Sequence, residues 1–184
     1  MILLILQQTT QLKLNTMKQK KILKDKYKVC NSIEDLNETD QAMFKLAFEK
    51  MNEAYAPYSN FHVGAALLLD DGNIIGGSNQ ENASYGLSMC AERVALFNAG
   101  ANYPDKKVKK IVVVTKNYDN AVENRPENDI ILAPCGACRQ VILEYETRYQ
   151  NDIEIMLIDS KGKVISFESV KNLLPFAFSG YFLK

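Results

Sequence analysis

The sequence of 184 residues has no net charge, no long apolar run and a single histidine. Lysine and arginine together number 22, and aspartate and glutamate also number 22. Proteins dedicated to binding nucleic acid normally carry a basic excess, so this balance argues against a nucleic-acid partner. No apolar run approaches the ~20 residues of a membrane-spanning helix, so we expect no membrane partner. The single histidine, His62, lies on a predicted strand away from the other candidate ligands, and we interpret it as structural.

The first residues do not have the form of a secretory signal. The apolar run at residues 1–6 is short, no basic residue precedes it, and no small-residue cleavage site follows it. We expect residues 1–20 to be a disordered leader, with Met17 as a plausible alternative start. The four cysteines form no obvious disulfide framework in a chain of this size, so we expect an unsecreted, cytoplasmic protein.

Length and composition fit one domain with a buried core, which we place at residues 21–184. Helical spacing of apolar residues predicts helices at residues 39–55, 90–99, 136–149 and 168–173, with Pro57 closing the first and Gly100 capping the second. Apolar and β-branched runs predict strands at residues 61–69, 74–78, 111–114, 153–158 and 164–167, and a short edge strand within 21–30. The polar residues 116–130 are predicted to be a surface loop. This order predicts an α/β fold with three layers, α/β/α, around a mixed, mainly five-stranded sheet.

Two separate segments contain three of the four cysteines. Cys90 opens Cys-Ala-Glu-Arg, and Cys135 and Cys138 belong to Pro-Cys-Gly-Ala-Cys-Arg-Gln. Cys90 and Cys135 fall at predicted helix starts, where the helix dipole and free N–H groups stabilise thiolates. Three thiolates can hold zinc and leave one position open, as in catalytic sites. Glu92 would stand beside that position, where a carboxylate can carry protons.

Each of these features also has a plainer interpretation. The Cys-x-x-Cys pair alone could be a redox pair, and Cys30 could act as the fourth ligand of a closed structural site. We disfavour the closed site because Cys30 is far from the other cysteines in the sequence and because Glu92 would then have no catalytic role. Cys30 is interpreted as an ordinary, partly buried thiol. Glu92 alone could be a solvated helix charge, but its place between two ligand motifs favours a catalytic role.

Together with two further motifs, these segments resemble the cytidine deaminases of the short, three-cysteine, homotetrameric type. The further motifs are Tyr-Ala-Pro-Tyr-Ser-Asn-Phe-His-Val-Gly-Ala-Ala-Leu at 55–67 and Asn-Gln-Glu-Asn-Ala-Ser-Tyr at 79–85, and the likeness covers residues 40–180. The resemblance implies one zinc ion per subunit, bound by Cys90, Cys135 and Cys138. It also implies deamination of cytidine and 2′-deoxycytidine in pyrimidine salvage. In that reaction zinc-bound hydroxide attacks C4, Glu92 shuttles protons, and the products are uridine or deoxyuridine and ammonia.

The resemblance further implies which residues bind the pyrimidine nucleoside. Asn79 and Glu81 match the ribose-binding pair of the family, and Phe61 matches the aromatic residue that packs against the base. The backbone N–H of Ala91 is expected to bind the edge of the pyrimidine. A carboxylate at the sugar disfavours a nearby phosphate, so a nucleoside is expected rather than a nucleotide.

Two positions are expected to act across subunit interfaces. Tyr85 and Phe178 match residues that reach into a neighbour's site, so a homotetramer would complete the pocket. Phe176 is an alternative to Phe178, and ordinary packing is the plainer interpretation of each. Gly86 departs from the family pattern, which has proline after the tyrosine.

Two questions stay open at this level. Three thiolates on Zn²⁺ give a net charge of −1, which Arg93 or Arg139 could offset by donating hydrogen bonds to the sulfurs; the resemblance favours Arg93. An aminonucleoside-antibiotic deaminase of the blasticidin type shares the zinc motifs and is the nearest rival. A non-catalytic module stabilised by zinc is a more distant one, because it would need a fourth protein ligand.

Overall fold

The computed structural model of the chain describes residues 27–115 and 131–183, so the predicted leader and the loop predicted at 116–130 lie outside it. The strands in this part of the chain are β1 (Lys28–Cys30), β2 (Val63–Leu69), β3 (Ile74–Ser78), β4 (Val108–Thr115), β5 (Glu154–Ile158) and β6 (Val164–Phe167). The α-helices are α1 (Glu38–Asn52), α2 (Ala91–Asn102) and α3 (Gly136–Tyr149). Short 3-10 turns lie at Ile33–Asp35, Tyr85–Leu87, Val170–Asn172 and Gly180–Leu183.

The strands form one mixed sheet in the order β1-β6-β5-β4-β2-β3. Strands β4 and β5 pair in parallel, and the other neighbouring strands pair antiparallel. Because parallel strands require a crossover connection, α3 lies between β4 and β5 in the chain. The predicted mixed α/β fold is confirmed, with β1 as a short sixth strand at the edge of the five strands β2–β6.

Helices cover both faces of the sheet and create two core layers. On one face, α1 buries Met43, Phe44, Ala47 and Met51 against the sheet. On the other face, α2 and α3 enclose the larger core, to which α2 contributes the small residues Ala91, Ala95 and Ala99. Among the described residues, no helix is long and apolar enough to cross a membrane.

Glycines on the strands allow the helices to approach closely. A Cβ on Gly64 in β2 would lie 1.9 Å from the carbonyl oxygen of Ala47 in α1. On the opposite face, a Cβ on Gly77 in β3 would lie 2.5 Å from the backbone nitrogen of Ala95 in α2. Larger side chains at either position would therefore displace a helix from the sheet.

Several elements differ from the sequence-based expectation, and β4 is longer at both ends, at Val108–Thr115 against the predicted 111–114. Helix α1 ends at Asn52 because the chain turns toward β3, where the Tyr55 N–H donates to the carbonyl oxygen of Asn79 over 3.0 Å. Strand β2 begins at Val63, since Asn60 has a left-handed backbone (φ 53°). A 3-10 turn at Val170–Asn172 replaces the short helix predicted at 168–173.

The prediction that Gly100 caps α2 was wrong. The helix continues through Gly100 to Asn102. Gly100 is a packing residue instead, because a Cβ there would lie 2.3 Å from the hydroxyl oxygen of Tyr145 in α3. That hydroxyl donates a 2.6 Å hydrogen bond to the carbonyl oxygen of Leu96, which joins α2 to α3.

Candidate active site

The two cysteine segments meet where α2 and α3 begin. Cys90 is the N-cap residue of α2, Cys135 is the N-cap residue of α3, and Cys138 lies in the first turn of α3. The Sγ atoms of Cys90 and Cys135 are 3.9 Å apart, and those of Cys135 and Cys138 are 3.4 Å apart. All three sulfur atoms lie within 4.8 Å of one another.

The three sulfur atoms suit a tetrahedral zinc ion. Zinc–sulfur bonds of about 2.3 Å at tetrahedral angles place two ligand sulfurs about 3.8 Å apart, close to the separations found here. No fourth cysteine, histidine or carboxylate of residues 27–115 and 131–183 joins this group. Cys30 lies on the edge strand β1 and donates to the carbonyl oxygen of Ser32 over 3.4 Å. The arrangement therefore matches a three-ligand site with one open position.

Arg93 brings positive charge to the sulfur group. Its Nη2 lies 3.6 Å from Cys90 Sγ and donates to the carbonyl oxygen of Ser88 over 3.4 Å. Hydrogen bonding from the Cys138 thiol, and then from Arg93, lowers the pKa of Cys90 to about 5 against the opposing effect of burial. Arg139 points elsewhere, since its guanidinium donates to the carbonyl oxygens of Pro134 and Leu173 over 2.7 and 2.9 Å.

Glu92 lies on the first turn of α2 and is 4% exposed. Its burial raises the pKa of its carboxyl group to about 7, although hydrogen bonding to the backbone opposes the shift. Glu92, Cys90 and Cys135 line a common cavity. The structure thus brings a buried carboxyl group to the cavity that two of the three cysteines line.

This cavity has a volume of about 330 Å³, within the range of small-molecule sites. Residues at the ends of β2, β3 and β4 and at the starts of α2 and α3 line it. Apart from the cysteines and Glu92, its lining comprises Ser59, Phe61, Val63, Asn79, Gln80, Glu81, Ser88, Met89, Val113, Val114, Thr115, Leu132 and Ala133. The wall is largely apolar, with a few polar groups that could orient a ligand.

Asn79, one of the two predicted sugar-binding residues, lines the cavity and also braces its wall. The amide nitrogen of Asn79 donates to the carbonyl oxygen of Phe61 over 2.9 Å. The amide oxygen accepts from the Val63 N–H over 2.7 Å. These bonds fix the entrance to β2 and so hold Phe61 at the cavity.

Glu81, the second predicted sugar-binding residue, holds the segment before Phe61. Its carboxylate accepts hydrogen bonds from the N–H groups of Tyr58 and Ser59 over 2.9 and 3.2 Å, and from the Ser59 hydroxyl. Hydrogen bonding by Ser59 is the main reason that the pKa of Glu81 lies below its usual value. A carboxylate at the rim of the cavity is therefore ionised at neutral pH.

Three predicted substrate-binding residues do not line the cavity within one chain. Tyr85 is 65% exposed, and its ring lies 6.0 Å from that of Tyr58. Phe178 is 59% exposed on the C-terminal segment, where its carbonyl oxygen accepts a 2.8 Å hydrogen bond from Gln140. Ala91 is fully buried as the first residue of α2, between Cys90 and Glu92 in the chain.

Sequence reasoning also missed a polar residue of the cavity wall, Thr115. It ends β4 and is 5% exposed. The sequence signal was a hydroxyl residue directly after the run of valines at 112–114, which we interpreted only as a buried strand.

Comparison with known proteins decides which family these features belong to. The profile described as "Cytidine and deoxycytidylate deaminase zinc-binding region" matches residues 37–150, more than half of the chain. The chain belongs to the cytidine deaminase family. This membership confirms the resemblance predicted from the sequence and makes the chain one of a family of hydrolytic deaminases.

Individual family members agree with this assignment. A cytidine deaminase of Halalkalibacterium halodurans is 43% identical over 139 residues, covering 76% of this chain and 93% of that protein. A crystal structure of cytidine deaminase from Burkholderia pseudomallei matches with a TM-score of 0.61 and 41% identity, covering 78% of this chain and 100% of the other. A blasticidin-S deaminase of Bacillus cereus is less similar, at 27% identity over 145 residues.

Proposed function

We propose that this protein hydrolyses cytidine and 2′-deoxycytidine to uridine and 2′-deoxyuridine with release of ammonia. The observation that carries the proposal is a group of three cysteines without a fourth ligand among the described residues, two of which line one cavity together with a buried carboxyl group. A closed structural site would have a fourth protein ligand in place of the open position, and it would not need the buried carboxyl group of Glu92. Water and a pyrimidine nucleoside are the two reactants.

Cys90, Cys135 and Cys138 would hold one zinc ion per chain. The bound ion would act as a Lewis acid that makes water nucleophilic near neutral pH. Arg93 donates toward Cys90 Sγ and offsets part of the negative charge that three thiolates accumulate. The donor set is therefore chemically suited to the ion that the family profile describes.

Glu92 is the proton carrier in this proposal. A buried carboxyl group with a pKa near neutrality can both accept and donate a proton at physiological pH. Glu92 takes the proton of the attacking water and delivers it to N3 of the pyrimidine, which makes C4 more electrophilic. The second proton passes through Glu92 to the amino group, which leaves as ammonia.

The cavity favours a nucleoside over a nucleotide. Glu81 and Asn79 supply an ionised carboxylate and an amide for the sugar hydroxyls, and Phe61 supplies an apolar surface for the base. A substrate phosphate near Glu81 would be repelled by its negative charge. Ala91, which lies between Cys90 and Glu92 at the start of α2, would offer its backbone N–H to the pyrimidine edge.

A homotetramer would complete the site with residues that one chain leaves exposed. Tyr85 and Phe178 are the proposed contributors from neighbouring subunits, and both expose most of their side chains. The C-terminal segment adds further exposed apolar residues: Phe176, Tyr181, Phe182 and Leu183. Clustered apolar exposure of this kind marks interaction surfaces.

The remaining proposals concern the setting of the reaction. Residues 21–184 form the single catalytic domain, since one sheet extends from β1 to β6. The enzyme acts in the cytoplasm, where reducing conditions preserve the free thiols that the site needs. Its role there is pyrimidine salvage.

One assay tests the reaction. Purified protein should convert cytidine to uridine, followed by the loss of cytidine absorbance, and a zinc chelator should abolish the conversion until zinc is restored. Glu92→Gln should lower kcat by about 10²–10⁴-fold with zinc content unchanged. Glu144→Gln on the exposed face of α3 is the matched control and should retain full activity. Wild-type activity in Glu92→Gln would refute the mechanism.

A second assay tests the shared pocket. Phe178→Ala should raise KM for cytidine while the protein stays tetrameric in sedimentation. Phe176→Ala is measured beside it, because Phe176 is the alternative residue for this role and is 95% exposed. An unchanged KM in Phe178→Ala would show that this residue does not reach a neighbour's site.

A further inference from the structure

Thr115, a residue of the cavity wall, has a buried hydroxyl group without a hydrogen-bond partner. It is the last residue of β4 and is 5% exposed. Within residues 27–115 and 131–183, only Thr115 Oγ1 and Arg93 Nε are buried side-chain polar atoms without a hydrogen-bond partner. Of the two residues, Thr115 lines the cavity. This orphaned hydroxyl is the feature that the proposed mechanism does not use.

The hydroxyl is unfavourable for the free protein. A buried polar group without a hydrogen bond loses its interactions with water and gains none in return. Valine has nearly the same shape, and the three preceding residues of β4, at 112–114, are all valine. Folding alone therefore gives no reason for threonine at this position, which points to a ligand as the missing partner.

The sheet register places Thr115 next to the groups proposed to bind substrate. Thr115 pairs with Val63 of β2. The Val63 N–H in turn donates to the Asn79 amide oxygen over 2.7 Å. Since side chains alternate along a strand, Thr115 shares the face of Val113, which belongs to the core beneath α2 and α3. Helices α2 and α3, whose starts carry the cysteine cluster, pack on the same face.

We propose that Thr115 is a further substrate-binding residue, whose hydroxyl makes its missing hydrogen bond with a polar atom of the bound pyrimidine nucleoside. This inference rests on the proposed deaminase function and adds a contact to it. A threonine hydroxyl can donate one hydrogen bond and accept two, so it can pair with either a sugar hydroxyl or a base carbonyl. Binding thus satisfies a group that the free protein leaves unpaired.

The inference predicts opposite effects on stability and on binding. Thr115→Val removes the orphaned hydroxyl with little change of shape. Its melting temperature without ligand should equal or exceed that of the wild type, while KM for cytidine rises about three- to ten-fold and kcat changes less than about two-fold. A merely structural threonine would show the reverse, with a lower melting temperature and an unchanged KM.

Two further variants serve as controls. Thr115→Ser keeps the hydroxyl and should keep KM within about two-fold of the wild type. Thr147→Val changes a threonine on the exposed face of α3, whose hydroxyl donates to the carbonyl oxygen of Leu143 over 2.8 Å, and should leave KM unchanged. Running the series with 2′-deoxycytidine shows which atom is bound. A KM effect confined to cytidine assigns the 2′-hydroxyl, and an effect on both substrates assigns an atom that they share.

The outcomes separate this inference from the function on which it rests. Absence of deamination by the wild-type protein would overturn the proposed function. Normal wild-type activity with an unchanged KM in Thr115→Val would overturn the Thr115 contact alone. A raised KM in both Thr115→Val and Thr115→Ser would also overturn it, because the hydroxyl would then not be the group that matters.

Discussion

Replacing Gly77 by alanine tests whether the close approach of β3 and α2 holds the site together. A Cβ at this position would lie 2.5 Å from the Ala95 nitrogen and 2.8 Å from the Ala91 carbonyl oxygen. Ordinary contacts begin near 3.4 Å, so α2 would have to move by about 0.9 Å. Both obstructing atoms belong to the backbone, which cannot rotate aside as a flexible side chain can. The strain therefore falls on the helix that begins after Cys90.

The expected cost follows from two opposing terms. Inserting a methyl group into a tightly packed contact costs about 1–3 kcal/mol. Alanine also reduces the conformational freedom of the unfolded chain, which stabilises the folded protein by about 0.4–1 kcal/mol. The net destabilisation of about 1–2 kcal/mol should lower the melting temperature by about 3–6 °C for a chain of this size. A displaced α2 also changes the 3.9 Å separation of the Cys90 and Cys135 sulfurs, so zinc content should fall.

The neighbouring glycine provides the control. A Cβ on Gly76 faces the flexible side chain of Lys50, whose Cγ would be 2.7 Å away and can rotate out of its path. Gly76→Ala should therefore retain its melting temperature, zinc content and activity. Thermal unfolding and zinc analysis of both variants are the measurements. A Gly77→Ala protein that is as stable and as rich in zinc as Gly76→Ala would refute the packing argument.

Three further predictions concern the fold and the cavity rim. Lys110→Met should destabilise the protein by about 3 kcal/mol in urea unfolding, because Lys110 Nζ contacts the buried Asp40 carboxylate at 2.7 and 2.9 Å. Adding Asp40→Asn to the same chain should recover part of this loss. If the free-energy changes of the two substitutions simply add, the pairing is contradicted. Glu81→Gln should lower the melting temperature at pH 7. Since the folded-state pKa of Glu81 lies below 4.5, the difference should disappear as the pH falls through that lowered value, and a constant difference would exclude the carboxylate as its cause. Cys30→Ser should retain one zinc ion per chain, because Cys30 Sγ bonds to Ser32 and not to the cysteine cluster; loss of zinc would revive the closed structural site.

Local sequence patterns predicted the helices and strands whose bounds are set by the spacing of nearby apolar and turn residues. The bounds of α3, β3 and β6 agree with the spacing of apolar and turn residues. Gly100 shows where such rules fail. Glycine after a helical run normally indicates a helix end, but here the close approach of Tyr145 requires it within the helix. The competing cause lies in another helix, which a local pattern does not contain.

The same distinction applies to the candidate site. Cysteine spacing and helix starts were sufficient to predict a cluster of Cys90, Cys135 and Cys138, which the structure brings together. The brace that Asn79 forms with β2 could not be predicted, because it depends on how a side chain after β3 reaches a neighbouring strand. The place of Thr115 in the cavity could not be predicted either, because it depends on the pairing of β4 with β2.

The sheet register explains how residues that are distant in sequence form one pocket. Strand β2 lies between β3 and β4, so its first residue, Val63, contacts both the Asn79 side chain and the strand that ends at Thr115. On the α2 and α3 side, the Tyr145–Leu96 hydrogen bond joins the two helices whose N-cap residues are Cys90 and Cys135. In the proposed mechanism, strand ends therefore supply polar groups for the substrate, and helix starts supply the thiolates for the metal. Because the thiolates lie at helix starts and Thr115 lies at a strand end, a shift of α2 should impair metal binding, whereas a change at Thr115 should impair substrate binding alone.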